Sequence, residues 1–388
     1  KVSSEVTGSE WEAWMAATGS TITEAGRWRT VRSFDAHGPE GVLVDVEHPE
    51  GRALVSFASN DYLGLTQHPA VKAAAIEAVE RWGTGAGSAR LVVGSRPVHH
   101  DLEEALAAWR GTEAALVFPT GFAANLSVMA VFGGPGVRIL SDELNHASII
   151  DGCRMARADT EVYRHGDADH LADGLARARA DGVRRTIVVT DTVFSMDGDV
   201  APLEAIADLA RRHGSLLVLD EAHAVLGPDP DLDGLDALRV GTLSKALGSL
   251  GGFAAGPRRA LDLLVNLARP FIFTTGSTPA DSAAALAAVE IVRSAEGDRL
   301  RTRLRGHVER LAPGHPSPVI PVLVGDDREA VALADRLADQ GLLVPAIRPP
   351  TVPVGTSRLR VALSAAHTTA QIELLAEALA PIRPVTAP

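Results

Sequence analysis

Cys153 is the only cysteine in 388 residues. A single thiol excludes an internal disulfide framework and fits a reducing compartment. Lysine is almost as scarce: Lys1, Lys72 and Lys245 are the only three, so arginine carries nearly all the positive charge. No apolar run is long enough to cross a bilayer. The opening residues, Lys1-Val2-Ser3-Ser4-Glu5, have no apolar core like that of a secretory signal. Positive charge is also in deficit. There are 37 Lys+Arg against 49 Asp+Glu, a formal charge of −12, which argues against nucleic acid or an anionic membrane as the main partner. A 46% hydrophobic fraction supplies a substantial core. The length suits one large domain with a smaller companion, or two domains. The expectation is a cytoplasmic globular enzyme that binds neither nucleic acid nor membrane.

The three lysines differ in context. Lys1 starts the chain, where mobility is expected. Lys72 lies in Pro69-Ala70-Val71-Lys72-Ala73-Ala74, which reads as a surface helix. Lys245 sits among small and apolar residues in Gly241-Thr242-Leu243-Ser244-Lys245-Ala246-Leu247-Gly248. A chain that otherwise uses arginine has a lysine there. Arginine cannot readily lose its proton to act as a nucleophilic amine, whereas lysine can. A snorkelling surface lysine is the competing reading, and this stretch alone does not separate the two.

No internal repeat or low-complexity tract is visible. Residues 1–58 read as an N-terminal arm, a helix followed by an extended segment. Residues 59–293 alternate apolar runs with Ala-rich helical stretches. The runs are Ala114–Phe118, Val137–Leu140, Thr186–Thr190, Leu216–Leu219 and Gly252–Ala255; the helical stretches include Leu102–Trp109, Asn145–Arg157 and Leu203–His213. That alternation predicts a mainly parallel sheet covered by helices, with strands buried on both faces. Residues 294–388 change rhythm. Val319–Val324, a helix over Asp327–Gln340, Leu342–Ile347, Leu359–Leu363 and a helix over Thr369–Leu379 predict a small α+β domain.

Polar groups gather where apolar runs end. Phe118-Pro119-Thr120-Gly121-Phe122 follows a strand and opens a helix, whose free N–H groups can hold a phosphate, although many such turns bind nothing. Asp220-Glu221-Ala222-His223 ends a buried strand, where ligands of α/β sheets collect. A helix cap, an ion pair or a metal site competes there, and no second cluster at ligand spacing supports the metal. His146, Asp191 and Ser195 end or follow other runs. Each is ordinary alone. Together they offer an amine for an aldehyde, an acid for a pyridine nitrogen, donors for a ring oxygen, a flat ring partner and a phosphate cradle. Pyridoxal phosphate needs that set.

The chain also resembles a known family, the α-oxoamine synthases: fold-type I pyridoxal-phosphate enzymes that join an amino acid to an acyl thioester with loss of carbon dioxide. The resemblance runs from about Ser59 to Pro381. It rests on Ser59-Asn60-Asp61-Tyr62-Leu63-Gly64-Leu65, Thr120-Gly121-Phe122-Ala123-Ala124-Asn125, Asn145-His146-Ala147-Ser148, Phe194-Ser195-Met196-Asp197-Gly198-Asp199, Asp220-Glu221-Ala222-His223 and Ser244-Lys245. It implies a mainly parallel seven-stranded sheet with helices on both faces and a small C-terminal α+β domain. It implies that Lys245 forms a Schiff base with the cofactor and moves protons, that Asp220 pairs with the pyridinium nitrogen, and that His146 stacks on the ring. Ser195 and His223 would bond the ring oxygen, and Gly121, Phe122 and Thr242 the phosphate. A homodimer with a shared site is implied, with Thr275 reaching the partner's phosphate.

The stretch Ala346–Arg360 is similar to the branch of the family that condenses L-alanine with a pimeloyl thioester, carried by coenzyme A or an acyl carrier protein, in biotin biosynthesis. Arg360 and Asn60 would then meet the amino-acid carboxylate and Thr351 would lie beside the substrate. Arg29 is the candidate for the far carboxylate of the acyl chain. In Ser88-Ala89-Arg90-Leu91, Ala89 stands where glycine-using relatives align a threonine, leaving room for a methyl group. Three features depart from the family pattern: Asp191 stands where glutamate is common, an acidic loop over 229–236 follows His223, and the arm matches poorly. The nearest alternative is another member that uses glycine or a different thioester. A different fold-type I enzyme and a cofactor-binding protein without catalysis are the more distant ones.

Overall fold

A computed structural model of the chain describes residues 9–46 and 48–382; Lys1 and the other opening residues read above lie outside that range. The described chain forms two compact units. The larger is Ser59–Ile320 with Ala362–Glu373. The smaller takes the residues up to Ala58, Pro321–Val361 and the stretch from Leu374.

The larger unit continues past 293/294, where a boundary was expected, to Ile320. Helix Ala295–Leu311 belongs to the larger unit. Its first turn lies against the end of the preceding helix, where a side chain at Gly297 would meet the Val292 carbonyl oxygen at 2.4 Å. The arm is no separate segment either. Its strand Arg52–Ser56 pairs in parallel with Leu342–Leu343, and Leu54 packs with Leu43 and Ala338. Two apolar segments distant in sequence complete one small core.

The larger unit is built on seven strands: β1 (Ala114–Phe118), β2 (Val137–Asp142), β3 (Asp159–Tyr163), β4 (Arg185–Asp191), β5 (Leu216–Asp220), β6 (Ala237–Thr242) and β7 (Gly252–Gly256). Their spatial order is β1-β7-β6-β5-β4-β2-β3. Every pair is parallel except the two made by β7. The apolar runs are buried because helices cover the sheet. Leu203–His213 shows how. Leu203, Ile206, Ala207, Leu209 and Ala210 recur at helical spacing and are buried, and Gly214 ends the helix at φ +62°. Sequence periodicity missed β3 and β6. β3 is an edge strand carrying Asp159 and Glu161. β6 holds Arg239 inside the sheet, where it is buried against Glu221.

In the smaller unit, Ser33–His37, Glu40–Val44, Arg52–Ser56 and Leu342–Leu343 form one sheet. A second contains Val319–Gly325, Ser357–Ala362 and Ala346–Ile347. The run Leu342–Ile347 was expected as one strand. It is two, because Pro345 lacks a ladder donor and the chain changes sheets around it.

Candidate active site

The carboxyl ends of β4, β5 and β6 and the starts of two helices enclose a cavity of about 160 Å³. Gly121, Phe122, Asn125, His146, Asp191, Asp220, His223, Thr242 and Lys245 are on its walls. The register explains several of these placements. Asp191 and Asp220 are direct partners across β4 and β5, so two carboxyl groups sit side by side. Thr242 pairs with Gly252, and Gly252 pairs with Phe118. That brings Thr242 beside the turn leaving β1. A Cβ at Gly252 would meet the Gly121 nitrogen and Cα at 2.4 Å, so only glycine lets the turn approach.

The helix Gly121–Phe132 starts at that turn. Thr120 caps it, its Oγ1 accepting the Ala123 N–H at 3.0 Å. The N–H groups of Gly121 and Phe122 belong to the first turn, where no intrahelical acceptor exists. Beside them, Thr242 Oγ1 donates to the Gly251 carbonyl at 3.0 Å and lies 2.6 Å from Ser244 Oγ. Backbone donors and hydroxyls therefore meet at one end of the cavity.

Lys245 rides on the loop between β6 and β7. Buried Leu243 and Leu247 anchor it on either side. The loop turns at Gly248, φ +61°, where a Cβ would press within 2.6 Å of the Thr66 nitrogen. The half-buried lysine is thus held facing the cavity.

Asp220 also lines the cavity. Its Oδ1 accepts the Ala222 N–H at 2.9 Å and its Oδ2 accepts Asn125 Nδ2–H at 2.6 Å. Burial, then the Asp220 charge, holds the Asp191 carboxyl well above the usual carboxylate range, and Asp191 Oδ1 is buried without a partner. His146 caps the helix Ala147–Ala156. Burial and the Lys245 charge push its imidazole below the ordinary histidine value, against the opposing pull of Asp220. His223 is buried and its Nδ1 lies 2.6 Å from the Tyr62 hydroxyl, which also donates to Asn60 Oδ1 at 3.1 Å.

Seven expected residues therefore share one cavity: Gly121, Phe122, His146, Asp220, His223, Thr242 and Lys245. Asn60 reaches it through Tyr62. Ser195 is half-buried in the turn after β4 and is not on the cavity wall. Thr275 is exposed and bridges Ala89, and the Gly276 N–H donates to the Ser88 carbonyl. Arg360, Thr351 and Arg29 belong to the smaller unit. Arg360 is buried on Ser357–Ala362; Arg29 donates to the Pro349 carbonyl at 3.4 Å, close in sequence to Thr351. Glu221 turns away from the cavity toward Arg239 and Arg110, 2.7 and 3.3 Å off. Asp229 of the acidic loop also pairs with Arg239. Cys153 is buried in the core and its thiol is pushed up to about 11, as suits a small packing residue.

Tyr62, Asn125 and Ser148 lie inside the motifs quoted above, where sequence alone assigns them no roles. Their signal was there, as polar groups in otherwise apolar runs. Their partners, 23 to 161 residues away, were not visible.

The family model for class I and II aminotransferases matches residues 52–379. An 8-amino-7-oxononanoate synthase of Anaeromyxobacter dehalogenans strain 2CP-1 is 49% identical over 372 residues, covering 91% of this chain and 92% of that relative. The chain belongs to the α-oxoamine synthases, within the class I and II aminotransferase family. Another α-oxoamine synthase, the 8-amino-7-oxononanoate synthase of Methylobacterium sp. strain 4-46, is 50% identical and covers 85% of this chain and 87% of its own. Among solved structures, serine palmitoyltransferase from S. paucimobilis with bound PLP-myriocin aldimine superposes with a TM-score of 0.87 at 29% identity. It covers 97% of this chain and 99% of its own. These α-oxoamine synthase neighbours carry the expected fold-type I architecture.

Proposed function

We propose that the chain condenses L-alanine with a pimeloyl thioester, on coenzyme A or an acyl carrier protein, giving 8-amino-7-oxononanoate, carbon dioxide and free thiol. The carrying observation is the convergence of Lys245, Asp220, His146 and the Gly121–Thr242 cradle on one cavity. The alanine and pimeloyl assignment follows the relatives at 49–50% identity.

The cofactor is pyridoxal 5'-phosphate, and the cavity's donor set fits it. A Cβ added at Gly121 would stand 3.4 Å from Thr242 Cβ, in ordinary contact. The N–H groups of Gly121 and Phe122 and the Thr242 hydroxyl would hold the phosphate. Asp220 would face the ring nitrogen, His146 would cover the ring, and His223 with Ser195 would bond the ring oxygen. When bound, the cofactor supplies an electron sink for the carbanion next to the amino group.

The protein's share is proton handling and charge placement. Lys245, released as a free amine, removes the α-proton of alanine and later returns a proton to the product carbon. Asp220, fixed by the Ala222 and Asn125 N–H groups, keeps negative charge opposite the ring nitrogen without reorganising. The Tyr62 hydroxyl orients His223. Arg360 is the candidate for the amino-acid carboxylate because a guanidinium fork matches it. Asn60 and Thr351 are assigned to the substrate, and Arg29 to the far carboxylate of the acyl chain. A homodimer, with Thr275 serving the partner's phosphate, completes the reading.

A second reading keeps the chemistry and changes the substrates, since serine palmitoyltransferases share the fold closely. Thiol release from pimeloyl-CoA with L-alanine, and separately with glycine or L-serine, tests both. Release with alanine in wild type and none in Lys245→Ala is the expected result. Release only with another amino acid moves the chain to the second reading. Wild-type release by the variant removes Lys245 from the chemistry.

A further inference from the structure

A chain of buried polar groups joins Asp220 to His146. Asn125 Nδ2 lies 2.6 Å from Asp220 Oδ2 and 2.9 Å from Ser148 Oγ. Ser148 Oγ in turn lies 2.7 Å from His146 Nδ1, and the Ser148 backbone N–H also points at Nδ1, at 3.2 Å. Asn125 and Ser148 are both buried.

The direction of these bonds follows from two groups whose roles are fixed, the Asp220 carboxylate as acceptor and the Ser148 backbone N–H as donor. A carboxylate only accepts, so Asn125 must turn its NH2 toward Asp220; its Oδ1 is buried and meets no donor. The second Nδ2 hydrogen then goes to Ser148 Oγ. That oxygen, serving as acceptor, has one hydrogen of its own, and His146 Nδ1 is the acceptor within reach. Two donors, the Ser148 hydroxyl and backbone N–H, thus converge on Nδ1. A nitrogen that accepts two hydrogen bonds carries no proton.

We propose that Asn125 and Ser148 are positioning residues that fix His146 as the neutral imidazole with its proton on Nε2. The inference rests on the proposed reaction only for its catalytic meaning: a neutral ring covers the cofactor without adding positive charge beside Lys245. The titratable groups that share the cavity with His146 are Asp191, Asp220, His223 and Lys245. Burial and Lys245 disfavour a second proton on the ring; Asp220 favours one.

Nitrogen-15 NMR of histidine-labelled full-length protein, with and without pyridoxal phosphate, tests the proposal, with the His146 signals identified by their loss in His146→Asn. Near pH 7 the wild type is expected to show protonated Nε2 and unprotonated Nδ1, with a titration midpoint below the usual value of about 6.5. Ser148→Ala and Asn125→Ala should each collapse the difference between the two nitrogens toward a mixture of tautomers, and Ser148→Thr should restore it. A wild-type ring protonated on Nδ1, or an imidazolium at pH 7, would overturn the proposal, as would an unchanged pattern in folded Ser148→Ala. If the alanine variants do not fold, the wild-type and Ser148→Thr spectra still decide. Absence of thiol release with the expected tautomer pattern would defeat the proposed reaction and leave this inference standing.

Discussion

At the scale of single residues, the larger unit places charge where neighbours can answer it. His165 is the clearest case outside the cavity. Its Nδ1 meets Asp142 Oδ1 at 2.9 Å, its Nε2 meets Asp199 Oδ2 at 2.7 Å, and its ring packs edge-on against Phe194. The hydrogen bonds to Asp142 and then Asp199 push its pKa up to about 10. A folded pKa above the unfolded value of about 6.5 means that the bracket stabilises fully below pH 6.5. That stability fades as pH rises toward 10. His165→Gln should therefore lower stability at pH 6 by about 1–3 kcal/mol, the scale of hydrogen bonds to charged groups. The gap to wild type should narrow steadily up to pH 10, as read from urea unfolding midpoints. An equal gap at pH 6 and pH 10 would show that the imidazolium is not the stabilising species.

Residue type was also where the sequence was most legible. The scarcity of lysine singled out Lys245, and strand ends singled out Asp220, His146 and His223. All four line the cavity. Tyr62, Asn125 and Ser148 stayed unassigned because hydrogen bonds between distant segments leave no local pattern. Arg239 hid a strand, since its charge interrupts the apolar run over Ala237–Thr242.

At the scale of elements, β1, β2, β4, β5 and β7 were readable because apolar runs buried on both faces are distinctive. The turn over Phe194–Asp199 was recognised by motif, and its shape depends on one glycine. Gly198 has φ +69°, and a Cβ there would stand 1.8 Å from the Val319 carbonyl oxygen. Gly198→Ala should cost about 2 kcal/mol or more, from strain and forced displacement together. It should also weaken cofactor retention in gel filtration if Ser195, three residues earlier, holds the ring oxygen as proposed. Full stability in the variant would show that the turn can shift at little cost.

At the scale of the whole molecule, three consecutive apolar residues, Leu91, Val92 and Val93, are 53%, 72% and 68% exposed. They lie in the turn after Ala89, which itself bridges Thr275. Such a patch suits the proposed self-association, because leaving three large apolar side chains in water is unfavourable. The pair Val92→Asp and Val93→Asp should shift sedimentation from dimer to monomer and abolish thiol release. A dimer in that variant would place the contact elsewhere. Domain boundaries were the least legible feature: nothing local in Arg52–Ser56 announces that its strand partner lies nearly 300 residues further on.

Strand order carries a consequence for synthesis. β1 lies at the edge of the large sheet, and its one neighbour there is β7. Residues 114–118 emerge from the ribosome long before 252–256. At about 5–20 residues per second, the earlier strand waits roughly seven to thirty seconds for its mate. Through that interval Leu116, Val117 and Phe118, all buried in the finished protein, have no native cover on that side. This segment gives a nascent-chain chaperone a reason to hold it, and the cradle at Gly121 cannot close until Gly252 arrives.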